Sequence, residues 1–117
     1  MTQQIINIVE PDSKYYELYD DFCMRYAQAE EDLVFYTEAL SIMEKRLMVE
    51  ADEQFYAKHN KRLSEALQRR DAKVNPNYIK LVRSKAAAVK RVRALKGKIT
   101  MLDRKFDEWR TRCANQR

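Results

Sequence analysis

Apolar residues recur along the first half of the chain in alternating steps of four and three. The series begins at Tyr15 and continues through Tyr19, Phe22, Tyr26, Ala29, Leu33, Tyr36, Leu40, Met43 and Leu47. This spacing puts every member on one face of an α-helix and is typical of a coiled-coil seam. We therefore expect a long helix from about residue 13, with Asp12 or Ser13 as its cap.

Beyond Leu47 the apolar residues are separated by steps of four only, at Ala51, Phe55, His59, Leu63 and Leu67. A constant step of four rotates the apolar stripe around the helix. The pattern predicts that the first helix continues to about residue 72, with a displaced apolar face or a bend. The alternative is a bend that folds the chain back as a third helix.

A second helix is predicted after the sequence "KVNPNY", which is the strongest break in the chain. Asn75 can cap this helix with Pro76 at its first position, and we expect the helix to end near residue 115. Its apolar positions are Ile79, Val82, Ala86, Val89, Val92, Leu95, Ile99, Leu102, Phe106, Trp109 and Cys113. A short turn, at about residues 73–76, between two long helices predicts an all-α, coiled-coil-like antiparallel hairpin as a single domain over 13–117.

The first twelve residues differ from the rest of the chain. Ile5, Ile6, Ile8 and Val9 are β-branched and predict a short extended arm. Such an arm can dock on its own domain or reach a neighbouring subunit, and the sequence leaves both open.

The composition excludes most kinds of catalytic and cofactor site. Gly97 is the only glycine, whereas a phosphate-binding loop needs several. His59 is the only histidine, and Cys23 and Cys113 are far apart, so no metal-ligand cluster is apparent. We expect a protein that is not an enzyme and holds no metal or cofactor, with the two cysteines as small apolar fillers.

Neither a secretory signal pattern nor a run of membrane-spanning length is found in the sequence. Two cysteines are also too few for a disulfide framework. We therefore expect a soluble protein of a reducing cytoplasm, with no membrane partner.

Basic residues are concentrated in the second half of the chain. Residues 1–60 carry 5 basic and 13 acidic side chains, whereas residues 61–117 carry 18 and 5. Residues 58–102 contain 14 Lys and Arg, and Glu65 and Asp71 are their only acids. In a hairpin that turns near residue 75, most acidic residues of the first helix would lie farther from these basic residues than the screening length of about 8 Å. They therefore could not neutralise the positive charge.

This excess of positive charge predicts a polyanionic partner, with an ordinary solvated surface as the alternative. Nucleic acid is favoured over a membrane surface because Ala86, Ala87 and Ala88 provide no bulky apolar face to insert. Without a base-reading motif, binding is expected through phosphates, with Tyr78 as a stacking candidate. The predicted contacts are Lys58, Lys61, Arg62, Arg69, Arg70, Lys73, Tyr78, Lys80, Arg83, Lys85, Lys90, Arg91, Arg93, Lys96 and Lys98.

The predicted helices differ in length, so the second would end opposite about residue 33 of the first. Tyr15, Tyr19, Phe22 and Tyr26 would then have no partner within the chain. Together with apolar residues outside the seam they predict self-association into a bundle or ring. The expected interface is Tyr15, Tyr19, Phe22, Tyr26, Val34, Phe35 and Ile42.

A basic, glycine-poor hairpin that ends in "LKGKITMLDRKFDEWRTR" resembles bacteriophage recombination mediators of the UvsY type over residues 13–115. The resemblance lies in architecture, size and charge layout, without a local motif. It implies an oligomeric protein that binds single-stranded DNA and helps a recombinase displace a single-strand-binding protein. The alternative is a small coiled-coil interaction protein, such as a phage or plasmid inhibitor of a host protein complex.

Overall fold

A computed structural model describes residues 13–116 as three α-helices. Helix α1 is Ser13–His59, α2 is Glu65–Lys73 and α3 is Pro76–Asn115. No strand occurs within residues 13–116, and the predicted all-α hairpin fold is confirmed. The predicted extended arm and the Asp12 cap lie outside the described residues.

The predicted seam of α1 is confirmed at every position. The ten residues from Tyr15 to Leu47 are buried or half-buried, and so are Ala51 and Phe55. Ala29 and Leu40 are the most deeply buried of the set. Alternating steps of four and three therefore specify the packed face of α1.

The prediction of one helix from 13 to 72 is wrong, because α1 ends at His59. Asn60 follows in the left-handed conformation, with φ 54°, and its N–H donates a 2.8 Å hydrogen bond to the Tyr56 carbonyl. Asparagine tolerates this conformation better than most residues and often ends helices in this way. Ser64 then caps α2 by accepting a hydrogen bond from the N–H of Leu67.

Asp52 anchors the connection between α1 and α2. Its Oδ1 accepts a 2.9 Å hydrogen bond from the backbone N–H of Leu63, and its Oδ2 lies 3.2 Å from the guanidinium of Arg62. Gln68 donates a 2.8 Å hydrogen bond from Nε2 to the Leu63 carbonyl. These bonds satisfy backbone groups that the break in the helix leaves open, and they hold the buried Leu63 side chain in place.

Helix α3 begins as the sequence predicts, with Pro76 in its first turn. The side-chain Oδ1 of Asn75 accepts a 2.9 Å hydrogen bond from the N–H of Asn77, and the backbone carbonyl of Asn75 accepts one from the N–H of Ile79. This arrangement satisfies donors that a helix start would otherwise leave unpaired.

The first part of the predicted α3 seam is wrong by one residue. Ile79, Val82 and Ala86 are exposed, whereas Tyr78 is half-buried and Ala88 is buried. Alternating steps of three and four lead from Tyr78 to Val92 through Leu81, Lys85 and Ala88. From Val89 to Cys113 the predicted positions are buried or half-buried.

The chain forms two compact units, whose boundaries fall within α1 and α3. The first unit consists of Met1–Ala29 with Arg91–Arg117, and the second is Glu30–Lys90. Among the described residues, the first unit buries Ala29, Leu95 and Leu102. The second unit buries Leu40, Leu63, Ala72 and Ala88.

The aromatic residues at the start of α1 have partners within the first unit, which corrects the prediction that they overhang. The Tyr15 hydroxyl donates a hydrogen bond to the Leu102 carbonyl, and the Tyr15 ring stacks on Phe106. The Nζ of Lys98 lies 5.3 Å from the ring centroid of Phe22.

The same correction applies to Tyr19, which is bonded to Asp103, and to the half-buried Tyr26. The prediction failed because α1 is 47 residues long rather than about 60. It is therefore close in length to α3, which has 40 residues, and the last turns of α3 lie opposite the first turns of α1.

Candidate nucleic-acid interface

The second unit contains ten of the fourteen predicted basic contacts, all between residues 58 and 90. We call this set the basic segment. Between residues 58 and 90 the only acidic residues are Glu65 and Asp71. The segment extends over the end of α1, the connection, α2 and the start of α3. Its members are Lys58, Lys61, Arg62, Arg69, Arg70, Lys73, Lys80, Arg83, Lys85 and Lys90.

Arg62 has a structural role within the basic segment. Its guanidinium is bonded to Asp52 and lies 4.4 Å from the centroid of the Tyr56 ring. The Asp52 side chain is only 20% exposed, so breaking this pair would leave a carboxylate poorly hydrated. Arg62 is therefore committed to the connection, and we remove it from the set of candidate phosphate contacts.

Arg69 is also paired, but its partner is easily exchanged. Its guanidinium lies 2.8 Å from Oε1 of Glu65, and both side chains are more than half exposed. An exposed pair four residues apart on a helix contributes about 0.3–0.5 kcal/mol. A phosphate can replace Glu65 at little cost, so Arg69 remains a candidate contact.

Three basic residues line one exposed face of α3 in the second unit. Lys80, Arg83 and Lys90 are spaced three and seven residues apart, which places them on one stripe about 15 Å long. All three are exposed, and α3 has no acidic residue before Asp103. Lys80 and Arg83, three residues apart, repel one another by a few tenths of a kcal/mol, and an anion bound along the stripe would relieve this repulsion.

Basic residues at the ends of α1 and α2 have a second explanation. Lys58 lies in the last turn of α1, and Arg70 and Lys73 lie in the last turn of α2. Cations at a helix C-terminus are stabilised by the helix dipole by about 0.3–1 kcal/mol. This effect accounts for the presence of these three residues without a ligand, so the stripe on α3 carries more weight.

Tyr78 and Lys85 are less accessible than the sequence suggested. Both are half-buried on the packed face of α3, because the seam there is shifted by one residue. Part of the Tyr78 ring is covered, which disfavours the predicted stacking on a base. Lys85 keeps an exposed portion, as long basic side chains on packed faces commonly do.

The remaining predicted contacts belong to the first unit, in the part of α3 after Lys90. Arg93, Lys96 and Lys98 are exposed. The Lys98 ammonium makes a cation–π contact with the Phe22 ring, and Arg91 also interacts with another group. Arg93 and Lys96 are therefore the clearest candidates in this unit.

The residues of the predicted oligomer interface are also divided between the two units. Tyr15, Tyr19, Phe22 and Tyr26 face α3 in the first unit. Val34, Phe35 and Ile42 belong to the second unit and are 56%, 63% and 68% exposed.

Two further apolar residues of α1 are exposed, Val49, which the sequence already places outside the seam, and Tyr56, which the sequence analysis missed. They continue the seven-residue spacing of Phe35 and Ile42. That spacing is visible in the sequence, but the stronger seam on the other face of α1 obscured it.

Comparison with protein-family models, with curated proteins and with solved structures found no match to this chain. Within the part of the chain that the structure covers, no helix is long and apolar enough to cross a membrane. Across residues 13–116 there is also no group of three or more His, Cys, Asp and Glu side chains arranged to hold a metal ion.

Proposed function

We propose that this protein is a non-enzymatic nucleic-acid-binding assembly factor that binds single strands through their phosphates. The observation that carries the proposal is the exposed stripe of Lys80, Arg83 and Lys90 on an α3 surface without acids. Lys61, Arg70 and Lys73 add exposed positive charge in the same unit. Clustered Lys and Arg on one face are the electrostatic feature by which proteins bind nucleic-acid backbones.

Several properties of the basic segment support phosphate contact rather than base reading. Its exposed side chains are mainly Lys and Arg on helices, without the aromatic platform by which single-strand-binding folds stack bases. Phosphate contacts are the same for every sequence, so the expected binding depends weakly on base identity. Release of counterions makes such binding strongly dependent on salt.

In its most concrete form the proposal is a phage-type recombination mediator. Such a protein binds single-stranded DNA, acts as a homo-oligomer and loads a recombinase in competition with a single-strand-binding protein. The all-α hairpin and the concentration of basic residues in one part of the chain agree with this assignment.

A specific observation favours a second candidate, a small coiled-coil interaction protein that inhibits a host complex. Phe35 and Ile42 are both more than 60% exposed on α1, where a partner protein could cover them. In that case the basic segment would contact an acidic protein surface instead of a nucleic acid. The two candidates differ in whether the isolated protein binds an oligonucleotide.

Fluorescence anisotropy with a labelled single-stranded oligonucleotide tests the proposal. If about five phosphates are neutralised per protomer, the logarithm of affinity should fall with the logarithm of salt at a slope near −3.5. Unrelated sequences of equal length should bind with similar affinity. Absence of binding at ~0.1 M salt and tens of micromolar protein would reject the proposal in favour of the interaction protein.

A further inference from the structure

Helix α1 has a second apolar line in addition to its packed seam. Phe35, Ile42, Val49 and Tyr56 follow one another at intervals of seven residues, all within the second unit. They are 63%, 68%, 56% and 44% exposed. Val34, next to Phe35, is also 56% exposed and widens the line at one end.

This line lies on the side of α1 that points away from the seam. At about 100° per residue, Ile42 lies roughly 160° around the helix from the buried Leu40. The seam residues therefore cannot also cover the line, and the contact of the Arg62 guanidinium with Tyr56 lies at its far end. An apolar row repeated every seven residues supplies one of the two heptad positions through which helices pair.

Charged residues alternate in sign between the apolar residues of this line. Glu38 follows Phe35, Lys45 follows Ile42 and Asp52 follows Val49, each by three residues. Glu38 and Lys45 are exposed and form no ion pair among the described residues. The Asp52 carboxylate is already engaged by Arg62 and the Leu63 backbone.

We infer that this line binds the same line of a second copy of the chain, with the two α1 helices antiparallel. A two-fold axis between residues 42 and 45 places Glu38 of each copy in the layer next to Lys45 of the other. It also sets Ile42 of the two copies in neighbouring layers at the centre. We refer to this line, residues 34–56, as the pairing face.

The charge order selects the antiparallel orientation and favours a second copy as the occupant. A parallel, in-register pair would set Glu38 beside Glu38 and Lys45 beside Lys45, which is repulsive. In the antiparallel pair Glu38 lies near Lys45 of the other copy, which is attractive. This contact occurs twice because the interface is symmetric. The pairing face is thus complementary to itself at Glu38 and Lys45, while Arg62 of the same chain neutralises Asp52.

The extent of the pairing face indicates a reversible dimer. Two helix faces of about twenty residues, with side chains exposed as described, bury on the order of 1,000 Å² in total. That is near the lower limit for specific interfaces, so we expect association at micromolar concentration. The inference does not depend on nucleic-acid binding, because none of its apolar residues belongs to the basic segment.

Sedimentation velocity over a range of protein concentrations tests this inference. The protein should change from monomer to dimer, and Ile42→Glu should raise the dissociation constant at least tenfold, because it removes both Ile42 side chains from the centre and sets two like charges in neighbouring layers. Met24→Glu is the matched control, because Met24 is 74% exposed on α1 in the first unit, outside the pairing face. Circular dichroism of both variants checks that the helices remain folded.

Exchange of the two charges tests the orientation. Glu38→Lys and Lys45→Glu, each alone, should weaken the dimer roughly fivefold, because each substitution alters two symmetry-related contacts. The double variant E38K/K45E should restore the affinity. Restoration supports the antiparallel pair, whereas additive weakening overturns it.

Three outcomes would overturn pairing altogether. They are a monomer at every concentration, a dimer that Ile42→Glu leaves unchanged, and a dimer that Met24→Glu disrupts equally. Oligonucleotide binding is measured separately on Ile42→Glu. A dimer that Ile42→Glu leaves unchanged rejects the pairing, whereas absence of oligonucleotide binding by the wild type rejects the proposed function, so the two failures are distinguishable.

Discussion

The hydroxyl of Tyr19 donates a 2.8 Å hydrogen bond to Oδ1 of Asp103, although the two residues are 84 positions apart in the sequence. The bond joins the second turn of α1 to α3 and defines their antiparallel register in the first unit. By holding the phenolic proton against a carboxylate, it raises the pKa of Tyr19 from its ordinary 10.0 to about 12.

Tyr19 should therefore remain protonated at a pH where an ordinary tyrosine ionises. The raised pKa means that the bond stabilises the fold fully below pH 10 and that this contribution is lost as the pH rises towards about 12. The stability difference between the wild type and Tyr19→Phe should narrow over that range. Ultraviolet titration of tyrosinate should show a late step that Tyr19→Phe removes and that Tyr16→Phe, at an exposed site, leaves in place.

Replacing Asp52 should destabilise the second unit. Asp52→Ala leaves the N–H of Leu63 without its acceptor and Arg62 without its partner, for which we expect a loss of about 1–3 kcal/mol. Glu53→Ala removes a neighbouring exposed carboxylate and should change the free energy of unfolding by less than about 0.5 kcal/mol. Urea denaturation of both variants measures the difference, and equal losses would contradict the anchoring role of Asp52.

The left-handed conformation of Asn60 should make this position sensitive to side-chain shape. Asn60→Val introduces a β-branched side chain at positive φ and should cost about 1–2 kcal/mol. Asn60→Gly should be neutral or slightly stabilising, because glycine adopts this conformation without strain. Thermal denaturation compares the two variants. A valine variant as stable as the glycine variant would mean that the chain does not turn at residue 60 in this way.

Gly97 is a site at which the protein can be stabilised. It lies within α3, its φ is not positive, and a methyl group added there would meet nothing within 4 Å. Gly97→Ala should therefore raise the free energy of unfolding by about 0.5–1 kcal/mol, while Ala94→Gly, at an exposed position one turn earlier, should lower it similarly. Chemical denaturation with an unchanged slope would assign both effects to helix propensity.

Charge reversal on the α3 stripe should weaken binding to single-stranded oligonucleotides of any sequence. The triple variant of Lys80, Arg83 and Lys90 to Glu removes three expected phosphate contacts. The salt slope should then fall in magnitude by about 2, from ~0.7 per contact. Anisotropy titrations at several salt concentrations provide the measurement.

The matched control for that variant reverses Lys14, Arg104 and Lys105, which are exposed residues of the first unit. It makes the same change in net charge at a distance from the basic segment in sequence. If both triple variants weaken binding equally, the effect comes from overall charge and the assignment of the stripe is wrong.

Local sequence signals determined the start of α3 and the packed face of α1. Asn75 and Pro76 specify a helix start through their own backbone and side-chain chemistry. The heptad positions from Tyr15 to Leu47 specify a buried face because an amphipathic helix packs its apolar side against another element. Such information resides in the residues concerned, and the structure agrees with it.

The sequence does not define the end of α1, because two local signals conflict there. The apolar residues at steps of four through His59, Leu63 and Leu67 predict a continuous helix. Asn60 and Ser64 permit a helix end and a new cap, and this second pair of signals prevails in the structure. The bonds from Asp52 to Leu63 and Arg62 favour the break, and they form only after the chain has turned.

The sequence by itself determined that the chain is helical, where its strongest seam lies and where its positive charge is concentrated. Only the tertiary structure decided which residues oppose one another, because the pairing of α1 with α3 depends on the length of the connection between them. The break at Asn60 moved Tyr15 from a predicted overhang to a contact with Phe106. Phe35 and Ile42 remain exposed in the structure, whereas Tyr15, Tyr19, Phe22 and Tyr26 are half-buried.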